Sequence, residues 1–220
     1  MISNRLVLAL FLSLCSLTVF AAEPPARARA SAKVDLQGRL KEALNNPKLY
    51  EPLLKTGGQV AAVCDRCHGV GGNSPTPDVP NLAGQNTVYV LEQARQFADG
   101  ERHHEFMRRM IKVMTSDEKI GFSLFYGNQK VKPAPATNLA LAAKGRVLYT
   151  KDCESCHEDH GRGDEHLARV AGQQPVYLTV ALKRSRAGSG ARVDRDMAKT
   201  LSTYADGDID AVVAYMMSMP

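Results

Sequence analysis

The chain has 220 residues, 44% of them hydrophobic, 23% charged and 6% aromatic, with no Trp. This is ordinary globular material, neither disordered nor fibrous, and a single long apolar run excludes a polytopic membrane protein. Lys+Arg 28 against Asp+Glu 23 leaves +5 at pH 7, too diffuse an excess for a nucleic-acid reader, which concentrates its basic residues on one face.

Residues 1–21 have the three parts of a secretory signal. Arg5 supplies the positive start, Leu6 to Phe20 the apolar stretch, and Val19-Phe20-Ala21 the small-x-small site, so cleavage is expected after Ala21, with Ala22 as second choice. About 15 apolar residues is short for a bilayer-spanning helix. Export to the periplasm is therefore expected. Cys15 leaves with the signal, and the bulky Leu14 before it argues against a lipoprotein. Residues 22–55 begin Ala-, Pro- and Arg-rich, an unstructured composition. They then place Leu36, Leu40 and Leu44 at helical spacing in an extra segment running to Leu54, which packs on the first module or on a partner.

The first module, residues 56–130, contains Cys64-Asp65-Arg66-Cys67-His68. Thr115-Ser116-Asp117-Glu118 has the form of a capping box opening a helix through Tyr126. Residues 131–138 form a Pro/Ala connector that cannot continue a helix and acts as a semi-rigid spacer. The second module, residues 139–220, opens with a helix over Leu139 to Lys151 leading into Cys153-Glu154-Ser155-Cys156-His157. Ile209, Val212, Val213, Met216 and Met217 mark the buried face of a final helix. No alternating run suggests a strand, so the expected fold class is all-α.

The two C-x-x-C-H pentads use every mature cysteine, and this is the attachment signature of c-type haem. Residues three and four apart share one face of a helical turn. Cys64 and Cys67, like Cys153 and Cys156, can therefore form thioethers to the haem vinyl groups while His68 and His157 face the iron. Zinc pairs of this type usually lie about 15–20 residues apart, whereas Cys64 and Cys153 are 89 apart. A thiol redox site leaves the following His unexplained. Two covalently attached haem c groups are expected, and their bulk offsets the shortage of aromatic core residues.

A repeat supports the division. Ala83-Gly84-Gln85 recurs as Ala171-Gly172-Gln173 and Val88-Tyr89 as Val176-Tyr177, both at offset 88; Gly100-x-Arg102 recurs as Gly190-x-Arg192 at 90. The same register selects axial ligands. Met197 is the second module's one methionine outside the C-terminal segment, and Gly190 to Met197 spans the same seven residues as Gly100 to Met107. Met107 is thus preferred, Met110 is its rival, and Met114 reads as core. Bis-His ligation through His103 or His104 remains the alternative, weakened because their counterparts, Val193 and Asp194, cannot ligate iron.

Pro80-Asn81-Leu82-Ala83-Gly84-Gln85, twelve residues beyond His68, resembles class I cytochrome c. The tandem Leu-Ala-Gly-Gln, Tyr, Gly-x-Arg and Met order resembles the dihaem cytochrome c4 family over roughly residues 56–220. The resemblance implies two tandem class I cytochrome c-type haem domains. It also implies a Pro80 carbonyl accepting a hydrogen bond from the proximal His68, a role that falls to Ala168 in the second module. Glu158 stands where the first motif has Gly69, and residues 22–55 are atypical of the family.

Two six-coordinate irons leave no open site for substrate, which favours electron transfer over bond-making chemistry. The resemblance implies a periplasmic, non-enzymatic carrier between a quinol–cytochrome c reductase or dehydrogenase and a terminal oxidase or reductase, with peripheral membrane association a further expectation. The alternative is a haem-carrying subunit of a larger oxidoreductase of the sulfide or thiosulfate dehydrogenase type; a stand-alone dihaem peroxidase is a third reading. Lys183, Arg184, Arg186, Arg192 and Arg195 either steer acidic partners or form a solvated, neutralised face.

Overall fold

A computed structural model describes residues 35–135, 138–189 and 194–220. The expected signal and its cleavage site lie outside the described residues, as does Arg192. Among the described residues the regular structure is helical, with no strand.

The extra segment forms two helices rather than one. Helix α1 (Leu36–Leu44) opens on Asp35, whose carboxylate accepts from the Gly38 N–H at 2.9 Å. Asn46 then adopts an extended conformation and caps α2 (Pro47–His68), with Pro47 in its first turn. The break follows from proline: the residue before it is pushed out of the helical region, and Pro is well suited to a first turn. Leu40 and Ala43 on α1 are fully buried beside Leu53, Leu91, Ile120 and Leu124. A fully buried Leu is worth about 1.5–3 kcal/mol. Of the two outcomes open to this segment, it packs on the first module. Helix α2 then runs unbroken through residues 55 and 56 into the first Cys-x-x-Cys-His motif.

The first module continues through α3 (Thr87–Asp99), α4 (Glu105–Lys112) and α5 (Ser116–Gly127). Thr115 and Glu118 close the expected capping box: Thr115 Oγ1 accepts from the Glu118 N–H at 3.2 Å, and Glu118 accepts from the Thr115 N–H at 2.7 Å. The second module has α6 (Leu139–Asp152), the one-turn α7 (Glu154–His157), α8 (Pro175–Arg186), α9 (Arg195–Leu201) and α10 (Asp206–Met216). On α10, Ile209, Val212, Val213 and Met216 are buried, as the periodicity predicts; Ala211 is buried as well, whereas Met217 is partly exposed.

In each module the first and last helices cross at a close backbone contact. Gly57 on α2 lies against the Gly121 carbonyl on α5, and Gly145 on α6 against the Ala211 carbonyl on α10, so a Cβ at either glycine would collide with backbone. Gly57 and Gly145 occupy equivalent repeat positions, 88 residues apart. The connector is tied down rather than free: Lys132 donates to the Asn73 side chain at 2.8 Å and Ala134 to the Met217 carbonyl at 3.2 Å. Asp35–Pro220 accordingly forms one compact unit.

Candidate cofactor sites

The first pentad occupies the last turns of α2, where the helix holds Cys64, Cys67 and His68 in register. In the second, Cys153 ends α6 and α7 restarts at Glu154, but His157 still donates its backbone N–H to the Cys153 carbonyl at 2.9 Å. Helical pitch is therefore kept across the break. Cys64 and Cys153 are half-buried, Cys67 and Cys156 are exposed, and none of the four is in a disulfide. Burial pushes the Cys64 thiol up and that of Cys153 up to about 12. Among the described residues no group of three or more His, Cys, Asp or Glu side chains converges to hold a bare metal ion.

Both histidines are buried, at 8% exposure each. His68 Nδ1 lies 2.8 Å from the Pro80 carbonyl oxygen and His157 Nδ1 lies 2.9 Å from that of Ala168. A carbonyl can only accept, so each Nδ1 carries the proton and Nε2 keeps its lone pair for a metal. Burial lowers the His68 pKa, with the Pro80 bond opposing that shift; the neutral, ligating form is the one favoured. Ala168 thus performs the contact expected of proline.

The candidate far-side ligands are placed by repeat-equivalent caps. His104 opens α4 by accepting from the Met107 N–H through Nδ1 at 3.3 Å, and Asp194 opens α9 by accepting from the Met197 N–H at 3.1 Å. Met107 packs on the apolar cluster that also takes Cys64, and Met197 on the one that takes Cys153. Met114 joins the first cluster, in keeping with a core role. Met110 is partly buried on the same helix. His103, His104, His160 and His166 are all exposed, and His104 is engaged as a cap. With a buried imidazole, a thiol pair and a thioether associated with each motif, the donor set fits covalent haem at both.

Tyrosines near the motifs were not identified in the sequence. Tyr126 donates to Asp65 at 3.4 Å, Tyr204 to Asp152 at 3.1 Å and Tyr149 to the Glu158 carbonyl at 2.6 Å. Desolvation raises all three phenol pKa values, so they act as neutral donors.

Glu158 has φ 65° and ψ 164°, close to the φ 74° and ψ 159° of its counterpart Gly69. This region is essentially reserved for glycine, at a cost of order 1–3 kcal/mol for other residues. The Tyr149 hydroxyl bond to its carbonyl holds it there. Glu158→Gly should raise stability by about 0.5–2 kcal/mol, the released strain less the extra chain entropy of glycine. Thermal unfolding of the holoprotein checks this, with an unchanged or lower midpoint as the contrary result.

The basic cluster is partly neutralised. Lys183 and Arg186 both pair with Asp206, at 2.8 and 2.7 Å, and the Lys183 hydrogen bond, with Arg186, holds that carboxyl below its ordinary value.

Comparison with known proteins matches this arrangement. The cytochrome c family profile fits residues 142–220. A thiosulfate dehydrogenase electron acceptor from Thiomonas intermedia (strain K12) is 30% identical over 173 residues, covering 73% of this chain and 80% of that protein. Cytochrome c4 of Thiocapsa roseopersicina is 30% identical over 169 residues, covering 71% and 87%. The crystal structure of reduced recombinant cytochrome c4 from Pseudomonas stutzeri superposes with a TM-score of 0.69 at 27% identity, over 76% of this chain and 98% of that one.

Proposed function

This chain belongs to the dihaem cytochrome c4 family, and from that premise we propose that it carries single electrons in the periplasm between a respiratory donor and a terminal oxidase or reductase. It is an electron-transfer protein with two covalently bound haem c groups, not an enzyme. When bound, each haem supplies an iron that alternates between ferric and ferrous states. The chain's own residues attach, orient and seal it. Cys64 and Cys67 anchor the first group and Cys153 and Cys156 the second. His68 and His157 would hold the irons through their imidazoles, and Met107 and Met197 would add soft thioether ligands, which raise the potential.

The observation that carries this reading is the duplicated geometry of a buried histidine, oriented through Nδ1 by a backbone carbonyl and paired with a methionine set three residues past a helix cap. With Met107 and Met197 as the second ligands, neither iron would keep a position open to peroxide, which disfavours the peroxidase reading. Similarity to an electron acceptor of thiosulfate dehydrogenase favours a sulfur-compound dehydrogenase as one donor. Helix α1 is spent on the first module's own core, which favours a freely diffusing carrier over a complex subunit.

The test is to mix purified ferric holoprotein with a thiosulfate dehydrogenase, and the ferrous form with oxidase-containing membranes, following the haem spectrum. Reduction in the first and reoxidation in the second, by a protein purified alone, are expected. A stoichiometric partner that remains bound through purification would instead identify a subunit.

A further inference from the structure

The two candidate sites are joined by a reciprocal pair of glutamines. Gln173 of the second module accepts from the Asn81 N–H at 2.6 Å and donates to the Asn81 carbonyl at 3.0 Å. Gln85 of the first module accepts from the Arg169 N–H at 2.7 Å and donates to the Arg169 carbonyl at 3.0 Å. Both side chains are buried. The pairs are related by the repeat, since Gln85 and Gln173, like Asn81 and Arg169, are 88 residues apart.

The peptide groups involved are the ones that orient the histidines. The Pro80 oxygen that accepts from His68 and the Asn81 N–H that donates to Gln173 belong to a single amide. The Ala168 oxygen and Arg169 N–H stand in the same relation for His157 and Gln85. An amide whose N–H is engaged becomes a better acceptor at its oxygen, because bonds in such a chain polarise one another. We propose that Gln85 and Gln173 are crossed positioning residues: each strengthens the carbonyl bond to the proximal histidine of the other module and so sets the potential of the other module's haem. A stronger Nδ1–H bond gives the imidazole more anionic character, favours ferric iron and lowers the potential.

The first-module arm has further support. Asn81 donates through its amide to the Gly172 carbonyl at 2.7 Å, and Gln174 donates to the Ser74 carbonyl at 2.7 Å and to Asn81 Oδ1 at 3.2 Å. Arg102 also reaches the Tyr177 hydroxyl at 3.0 Å. These bonds keep the modules docked when Gln173 alone is changed.

The inference rests on the assignment of His68 and His157 as iron ligands, and the test separates the two. Holoprotein labelled with 15N-histidine is compared with Gln173→Leu and Gln85→Leu by NMR of the histidine Nδ1–H groups and by redox titration. Gln173→Leu should move the His68 Nδ1–H signal of the reduced protein upfield and raise the first haem's potential, leaving His157 and the second haem in place. Gln85→Leu should do the reverse. Gln173→Glu, whose carboxylate still accepts from the Asn81 N–H but cannot donate to the Asn81 carbonyl, should return the His68 signal downfield of its position in Gln173→Leu. Shifts confined to the substituted module, or no shift at hyperfine-shifted histidines, would overturn the clamp alone. A His68 signal with no hyperfine shift in the oxidised protein would overturn the ligand assignment and the clamp with it.

Discussion

Met107→Ala should lower the reduction potential of one haem and abolish the long-red absorption of a methionine–iron bond at that site, while the other haem keeps both. A thioether is a soft ligand that favours ferrous iron, so its loss leaves the ferric form relatively better stabilised. The helix that carries Met107 starts at the His104 cap, and its core anchor, Ile111, is one turn away. Alanine is a strong helix former, so α4 should survive and the effect should be confined to the iron. The matched experiment is Met110→Ala. Redox titration with optical detection should find that substitution nearly silent. If Met110→Ala lowers a potential and Met107→Ala does not, the register inferred from the repeat is wrong by one turn.

Gly145→Val should prevent the second module from closing. A Cβ at residue 145 would meet the Ala211 carbonyl carbon at 2.5 Å and Tyr215 Cβ at 3.0 Å, with the Ala211 oxygen closer still. Backbone cannot move aside as a flexible side chain can, so α6 and α10 would have to separate. That would uncover Ile209, Val212 and Val213, at a cost above the usual overpacking range of about 1–3 kcal/mol and comparable to much of a domain's stability. Loss of the Met197 absorption feature, with the first module's retained, is expected alongside a lost thermal transition. Gly207→Ala is the control: nothing lies within 4 Å of a Cβ there. Equal damage from both substitutions would show that the close helix crossing at Gly145 is not the cause.

The chemistry was legible in the sequence because it depends on spacing. Cysteines at i and i+3 with histidine at i+4 need no tertiary information, and the capping box at Thr115 and the buried face of α10 are likewise local. The repeat brought Met107 forward among nearby methionines, and the structure gives it the same cap-plus-three position as Met197. The extra segment was harder. The spacing of Leu36, Leu40 and Leu44 suggested a helix continuing to Leu54, but Asn45-Asn46-Pro47 breaks it, and Leu44 is half exposed. Its destination, the first module's core, depends on contacts with α3 and α5 distant in sequence. The glutamine pair was visible only as a recurring Ala-Gly-Gln. Its meaning lies in hydrogen bonds between residues 84 and 92 positions apart, which no local pattern encodes. Glu158 shows the reverse case, a departure from glycine visible in sequence whose backbone cost appears only in the structure.

Intact mass of the mature, exported chain under denaturing conditions tests the account most directly, because only a covalent group survives unfolding. Two haem masses above the polypeptide cut after Ala21 are predicted, falling to one when Cys153 and Cys156 are both replaced by Ala. A mass equal to the bare polypeptide would contradict it.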